Sequence, residues 1–145
     1  YYNRKQNVFV KIIKKLLYIR HIKLCNKFNW TIPINVFESG LAIVHTGTIV
    51  VSGSAKVGKN CRIHVCTNIG RATSHGEVGA PIIGDNVYIG PGVKMFGKIK
   101  IGDNTAIDAN SVVNKSFEEG NCTIAGVPAK KISDNTSEGY ILGDK

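Results

Sequence analysis

Four histidines are the residues of this chain best suited to proton transfer near neutrality: His21, His45, His64 and His75. An imidazole with an unperturbed pKa of about 6.5 is mostly neutral at pH 7 and can accept a proton there. Their surroundings differ. His21 stands in a basic N-terminal stretch and reads as a surface or packing residue. His45 lies in HTGTIVV, beside a slip in the repeat described below. His64 directly follows a core aliphatic, so its side chain is expected to point outward, either lining a cleft or facing solvent. His75 falls in a loop, within reach of a substrate or simply at the surface. The four cysteines, Cys25, Cys61, Cys66 and Cys122, form no CxxC pair and no metal-ligand spacing, so no metal site is expected. Cys61 and Cys66 fall inside the repeat, where thiols serve as small apolar filler. A reduced, cytoplasmic protein is the simplest reading.

The scaffold that must position these groups is written as a six-residue beat. Val51, Val57, Ile63 and Ile69, then Ile83, Ile89, Met95, Ile101, Ile107 and Val113, are each six residues from the last. A helix repeats at about 3.6 and a strand at 2, so this pattern fits neither alone. The residue after the aliphatic is mostly small or polar, as at Ser52, Gly58, Gly70, Gly84, Gly90, Gly102 and Asp108. The expected fold is an all-β solenoid, a parallel β-helix of hexapeptide repeats whose stacked coils bury the aliphatic column. A sandwich of ordinary short strands would have turns of varying length, whereas IGDNVYIGPGVK and IGDNTAIDANSV keep their phase. The gap from Ile69 to Ile83 carries RATSHGEVGAP, read as one inserted loop.

Three segments follow. Residues 1–30 read as a basic amphipathic helical segment, 31–132 as the repeat domain, and 133–145 as a polar, loosely held tail. Residues 1–28 hold Arg4, Lys5, Lys11, Lys14, Lys15, Arg20, Lys23 and Lys27 with no acidic residue, within a net charge of +9. Phe9, Ile12, Ile13, Leu16, Leu17 and Leu24 recur at helical spacing. The favoured use of that stripe is to cap the end of the solenoid. The other is peripheral contact with an anionic membrane, which would place the protein at the inner face of the membrane. Nucleic-acid binding is not expected, because aromatics are not interleaved with the charges. No apolar run reaches the roughly 18 residues of a membrane span. A thin solenoid leaves side faces uncovered, so association with further copies is expected.

The stretch GLAIVHTGTIVV, the coils NCRIHVCTNIG and IIGDNVYIGPGVKMFG, and the closing IAGVPAKKI resemble the serine acetyltransferase branch of the hexapeptide acyltransferases, from about Ile32 to Ile132. The resemblance implies a left-handed coil, a homotrimer with sites between subunits, and acetyl-CoA as co-substrate. It implies His45 as general base, since an alcohol attacks a thioester only as its proton is removed. It also implies a donor site along the coils at Gly90, Ala109, Asn114 and Lys115, ending at Gly126 and Lys130. The chain departs from the serine-specific pattern at two places. Trp30 stands where an aspartate orients the base, and Ala80 stands where a second histidine precedes a proline, here Pro81. Asn35, Glu38 or a backbone carbonyl is then a candidate to hold the His45 ring, and His64 and His75 are further acceptor-site candidates. These losses shift the expected acceptor from serine to a saccharide hydroxyl, as in O-acetyltransferases of surface polysaccharide. The alternatives are a serine acetyltransferase of cysteine biosynthesis and a non-catalytic solenoid scaffold.

Overall fold

The computed structural model describes residues 8–74 and 76–141, in which a helix leads into a parallel β-helix. Helix α1 (Val8–Phe28) is followed by short strands that stack into three faces. Face one holds β1 (Trp30–Thr31), β3 (Ile49–Val51), β6 (Asn68–Gly70), β11 (Lys94–Phe96) and β14 (Val112–Val113), in that order. Face two runs β2 (Ala42–Ile43), β5 (Arg62–Ile63), β10 (Tyr88–Ile89), β13 (Ala106–Ile107) and β15 (Thr123–Gly126), and β16 (Ala129–Ser133) closes it antiparallel. Face three holds β4 (Lys56–Val57), β9 (Ile82–Ile83) and β12 (Lys100–Ile101), extended by bridges from Phe37 to Val57 and from Ile101 to Phe117.

Successive coils pair in parallel 18 residues apart, Tyr88 with Ala106 and Lys94 with Val112. Three hexads therefore make one turn, and every sixth residue falls inside the prism. Ile63, Ile89, Ile107, Ile124 and Val113 are fully buried, with Ile69, Met95, Val57 and Val51 nearly so. The corner between faces three and two explains the recurring Gly-Asp-Asn. Asp85 Oδ1 accepts from the Lys59 N–H at 2.7 Å, and Asp103 Oδ1 accepts from the Asp85 N–H at 2.7 Å. A Cβ on Gly84 would lie 2.1 Å from that Asp103 oxygen, so the glycine must be bare. Asn60, Asn86, Asn104 and Asn121 all take positive φ there and donate amide to amide up the corner at 3.0, 3.0 and 2.9 Å. Short polar side chains suit that backbone conformation, and the ladder satisfies groups a corner would leave unpaired.

Three expectations are revised. The loop is an ordered hairpin of β7 (Ala72–Ser74) and β8 (Glu77–Gly79), leaving the corner between faces one and three. The apolar residues of α1 do not cap the solenoid. Phe9, Ile12, Leu16 and Leu17 are at least half exposed and only Cys25 is buried, because apolar and basic side chains alternate around the whole helix. What joins α1 to the coils is His21, whose Nε2 donates to the Ile32 carbonyl at 2.8 Å, so it is a packing residue. The third revision is the tail. Thr123 donates its hydroxyl to the Asn135 carbonyl at 2.8 Å, and Ser137 is fully buried against the asparagine corner, leading into α2 (Glu138–Ile141). No helix among the described residues is long and apolar enough to cross a membrane.

Candidate active site at the corner of faces one and two

The chain between the inward residues Ile43 and Val51 is two residues longer than its counterparts in the coils stacked on it, Ile63 to Ile69, Ile89 to Met95 and Ile107 to Val113. That widened corner holds His45. Gly47 makes it fit, with φ of 140° and a Cβ position 2.4 Å from Val65 Cγ2, so only a bare backbone passes over the coil beneath. His45 is exposed, and its ring meets that of His64 edge-on at 5.8 Å between centroids. His64 meets Tyr88 edge-on at 5.2 Å, and Tyr88 stacks on Tyr140 at 4.3 Å.

Burial lowers the pKa of His64, with the Arg62 guanidinium and His45 adding to the effect. The neutral form of His64 is therefore favoured. In a proton NMR titration its midpoint is expected below the ordinary 6.5. The unfolded chain takes up this proton near 6.5 and the folded chain only at lower pH. Its contribution to stability is thus complete above 6.5 and is lost as pH falls toward the folded value. A midpoint at or above 6.5 would show that burial and Arg62 do not act on this ring. Nucleophilic catalysis by Cys61 is excluded, since burial pushes its thiol up to about 12.

The sequence-predicted residues divide by corner. Gly90, Ala109 and Gly126 share the His45 corner, one coil after another. Gly90 is bare for packing reasons alone, because a Cβ would sit 2.8 Å from the Ile107 carbonyl oxygen. The Gly126 N–H reaches the Ser111 hydroxyl at 3.2 Å. Asn114 and Lys115 follow β14 at the next corner, both exposed, with the Lys115 ammonium 5.4 Å from the Phe117 ring centroid. Lys130 is exposed on β16 opposite Ala125. Asn35 and Glu38 are not brought to His45. They line a cleft with Lys56, Ile82 and Asp85 on face three, opposite its corner. His75 lies outside the described residues. Trp30 pairs with Ile49 at the start of face one, with its indole N–H buried and without a partner among the described residues.

Sequence reasoning passed over Arg62, Tyr88 and Tyr140. Arg62 and Tyr88 each stand just before an inward aliphatic, the same phase in successive coils, and so share a face with His64. That phase was a readable signal. Tyr140 joins them from the far end of the chain and had none.

Residues 80–115 match the family model of the bacterial transferase hexapeptide (six repeats). The serine acetyltransferase of Synechococcus elongatus is 33% identical over 93 residues, which cover 64% of this chain and 38% of the relative. The structure of the Brucella abortus serine acetyltransferase in complex with coenzyme A aligns with a TM-score of 0.71 at 31% identity, covering 88% of this chain and 51% of that one. The Neisseria gonorrhoeae enzyme in complex with serine aligns with a TM-score of 0.66 at 30% identity, covering 87% and 51%. The chain thus spans about half or less of these relatives' length. These findings overturn the saccharide reading, since the relatives and structural neighbours are consistently serine acetyltransferases and one holds serine itself. The losses at Trp30 and Ala80 do not outweigh that. The repeat match, the identity and the shared coil establish that this chain carries the left-handed hexapeptide-repeat β-helix of the bacterial hexapeptide acyltransferases.

Proposed function

We propose that the chain transfers an acetyl group from acetyl-CoA to the hydroxyl of L-serine, with His45 as general base. The observation that carries this is the widened corner. It holds an exposed imidazole at the head of a column of coil corners that runs from His45 past Gly90 and Ala109 to Gly126. Four coil steps of about 4.8 Å make that edge about 19 Å long, a rail on which an extended acyl-pantetheine arm can lie with its thioester near His45. Backbone groups at Gly90, Ala109 and Gly126 support the arm. Lys130 on β16 supplies a positive group near its end, and Asn114 and Lys115 supply polar and positive groups at the neighbouring corner, suited to the phosphates of CoA.

The chemistry requires one base. His45 takes the proton from the acceptor hydroxyl as its oxygen attacks the thioester carbonyl, and the tetrahedral adduct collapses with cleavage of the carbon–sulfur bond. The proton then passes to the departing thiolate, giving free CoA and an acetyl ester. The exposure of His45 leaves room for a neighbouring copy to complete the site, as in a homotrimer. Release of free thiol from acetyl-CoA tests the proposal, with L-serine compared against nucleotide-sugar and oligosaccharide acceptors. Serine-dependent release is expected. Release with a sugar but not with serine would contradict the assignment.

A further inference from the structure

We propose that Arg62 anchors the carboxylate of the acceptor amino acid, and that residues 134–141 form a strap that covers this anchor until the acceptor displaces it. This rests on the acyl-transfer reading of the His45 corner but uses residues that reading does not require.

Arg62 projects outward from β5 between Ala42 and Tyr88 of neighbouring coils. Among the described residues no carboxylate forms an ion pair with it. One edge of its guanidinium donates to the Tyr140 carbonyl oxygen at 2.7 Å. Among the described residues its Nε is buried without a partner, and so is Nε2 of His64, two residues further along the chain. The ladder continues one residue past β5 through the His64 N–H to the Ile89 carbonyl, and residues two apart in such a run share a face, so Arg62 and His64 both stand on the outside of face two, leading to the His45 corner. Buried polar groups are nearly always paired, and an unpaired guanidinium N–H is among the least tolerated exceptions. A carboxylate satisfies a guanidinium with two parallel hydrogen bonds, and the Tyr140 carbonyl supplies a single neutral oxygen in that position. A small amino acid held there by its carboxylate would lie on the face that leads to His45, whose ring meets that of His64 edge-on.

The strap is a built feature. Ser137 is fully buried, donating its hydroxyl to the Asn86 carbonyl and its N–H to the Asn104 carbonyl at 3.1 Å. From that pin the chain crosses to face two, where the Tyr140 ring lies on Tyr88 with 20° between planes. Tyr140 keeps 44% of its surface exposed, and among the described residues its contacts with face two are the stack on Tyr88 and the hydrogen bond from Arg62, while the N–H groups of Tyr140 and Ile141 bond back to the Ser137 carbonyl, so the end of the strap can lift as a unit about a seated Ser137. The anion that replaces the carbonyl could come from the acceptor or from a CoA phosphate, and the experiment separates the two.

Titration calorimetry on the full chain, Arg62→Gln and Tyr140→Ala would use L-serine, ethanolamine and CoA as separate probes, with melting midpoints confirming that each variant is folded. Ethanolamine keeps the hydroxyl and amine of serine but lacks the carboxylate. Arg62→Gln is expected to weaken serine by roughly 10- to 100-fold, as loss of a charged hydrogen-bond partner does, and to leave ethanolamine and CoA unchanged. Tyr140→Ala is expected to tighten serine severalfold. Serine binding that survives Arg62→Gln, a loss confined to CoA, or no serine binding by any of the three chains would each overturn the proposal. Serine bound through Arg62 but never acetylated would count against the acyl-transfer reading alone. Serine acetylated equally by Arg62→Gln would count against the anchor alone.

Discussion

Alanine at position 45 is expected to lower serine-dependent thiol release by about 10²- to 10⁴-fold, the range over which a positioned general base contributes. A serine hydroxyl is almost entirely protonated at neutral pH, so attack without a base requires a high-energy alkoxide or proton transfer to water. His64 cannot substitute. Its Nε2 is buried, its pKa is lowered by burial and Arg62, and it stands one coil away from the widened corner. CoA binding should persist in His45→Ala, because the proposed rail lies on other coils. The melting midpoint should barely move, because the side chain is exposed. Full activity in His45→Ala would remove His45 from the mechanism. Loss of CoA binding together with activity would mean that the residue shapes the corner rather than moving a proton.

The second large effect concerns the column that holds the corner in place. Ile89→Ala is expected to cost about 2–5 kcal/mol in urea unfolding, as removing a buried isoleucine side chain leaves both lost transfer energy and a cavity. Ile89 is fully buried and sits between Ile63 and Ile107 in the ladder of face two, so the prism offers little room to collapse around the gap. Because each coil is stabilised by its neighbours, the loss should spread across coils rather than stay local. Ile82 supplies the control. It stands one residue before the inward position and is 46% exposed, so Ile82→Ala should change stability by less than about 0.5 kcal/mol. Equal costs at the two positions would contradict the assignment of inward and outward phases.

The phase of the coils was legible because the inside of a narrow prism accepts only one kind of side chain. Each inward position from Val51 to Val113 reads correctly, and the slip near His45 is the widened corner itself. Contacts between distant segments leave no such trace. Ser137 is an ordinary serine in a polar tail until the asparagine ladder accepts it, and Arg62 and Tyr140 are 78 positions apart. In α1 the spacing of Ile12, Ile13, Leu16 and Leu17 suggests a stripe, yet Val10, Tyr18 and Ile22 place apolar surface on the remaining sides, and the stripe stays exposed while the helix meets the coils through His21 and Cys25. The acceptor was misread for another reason. Trp30 and Ala80 are real departures, but a site can hold a serine with other groups, and Arg62 offers one that a residue-by-residue carry-over does not reveal.

The most direct measurement follows the acetyl group itself. With acetyl-CoA carrying a ¹³C-labelled acetyl carbonyl, L-serine and the full chain, carbon NMR should show the thioester signal replaced by that of an ester on the serine hydroxyl, at a rate that depends on His45. A label that stays on CoA, appears only as free acetate, or moves onto a saccharide while serine is left untouched would contradict the account.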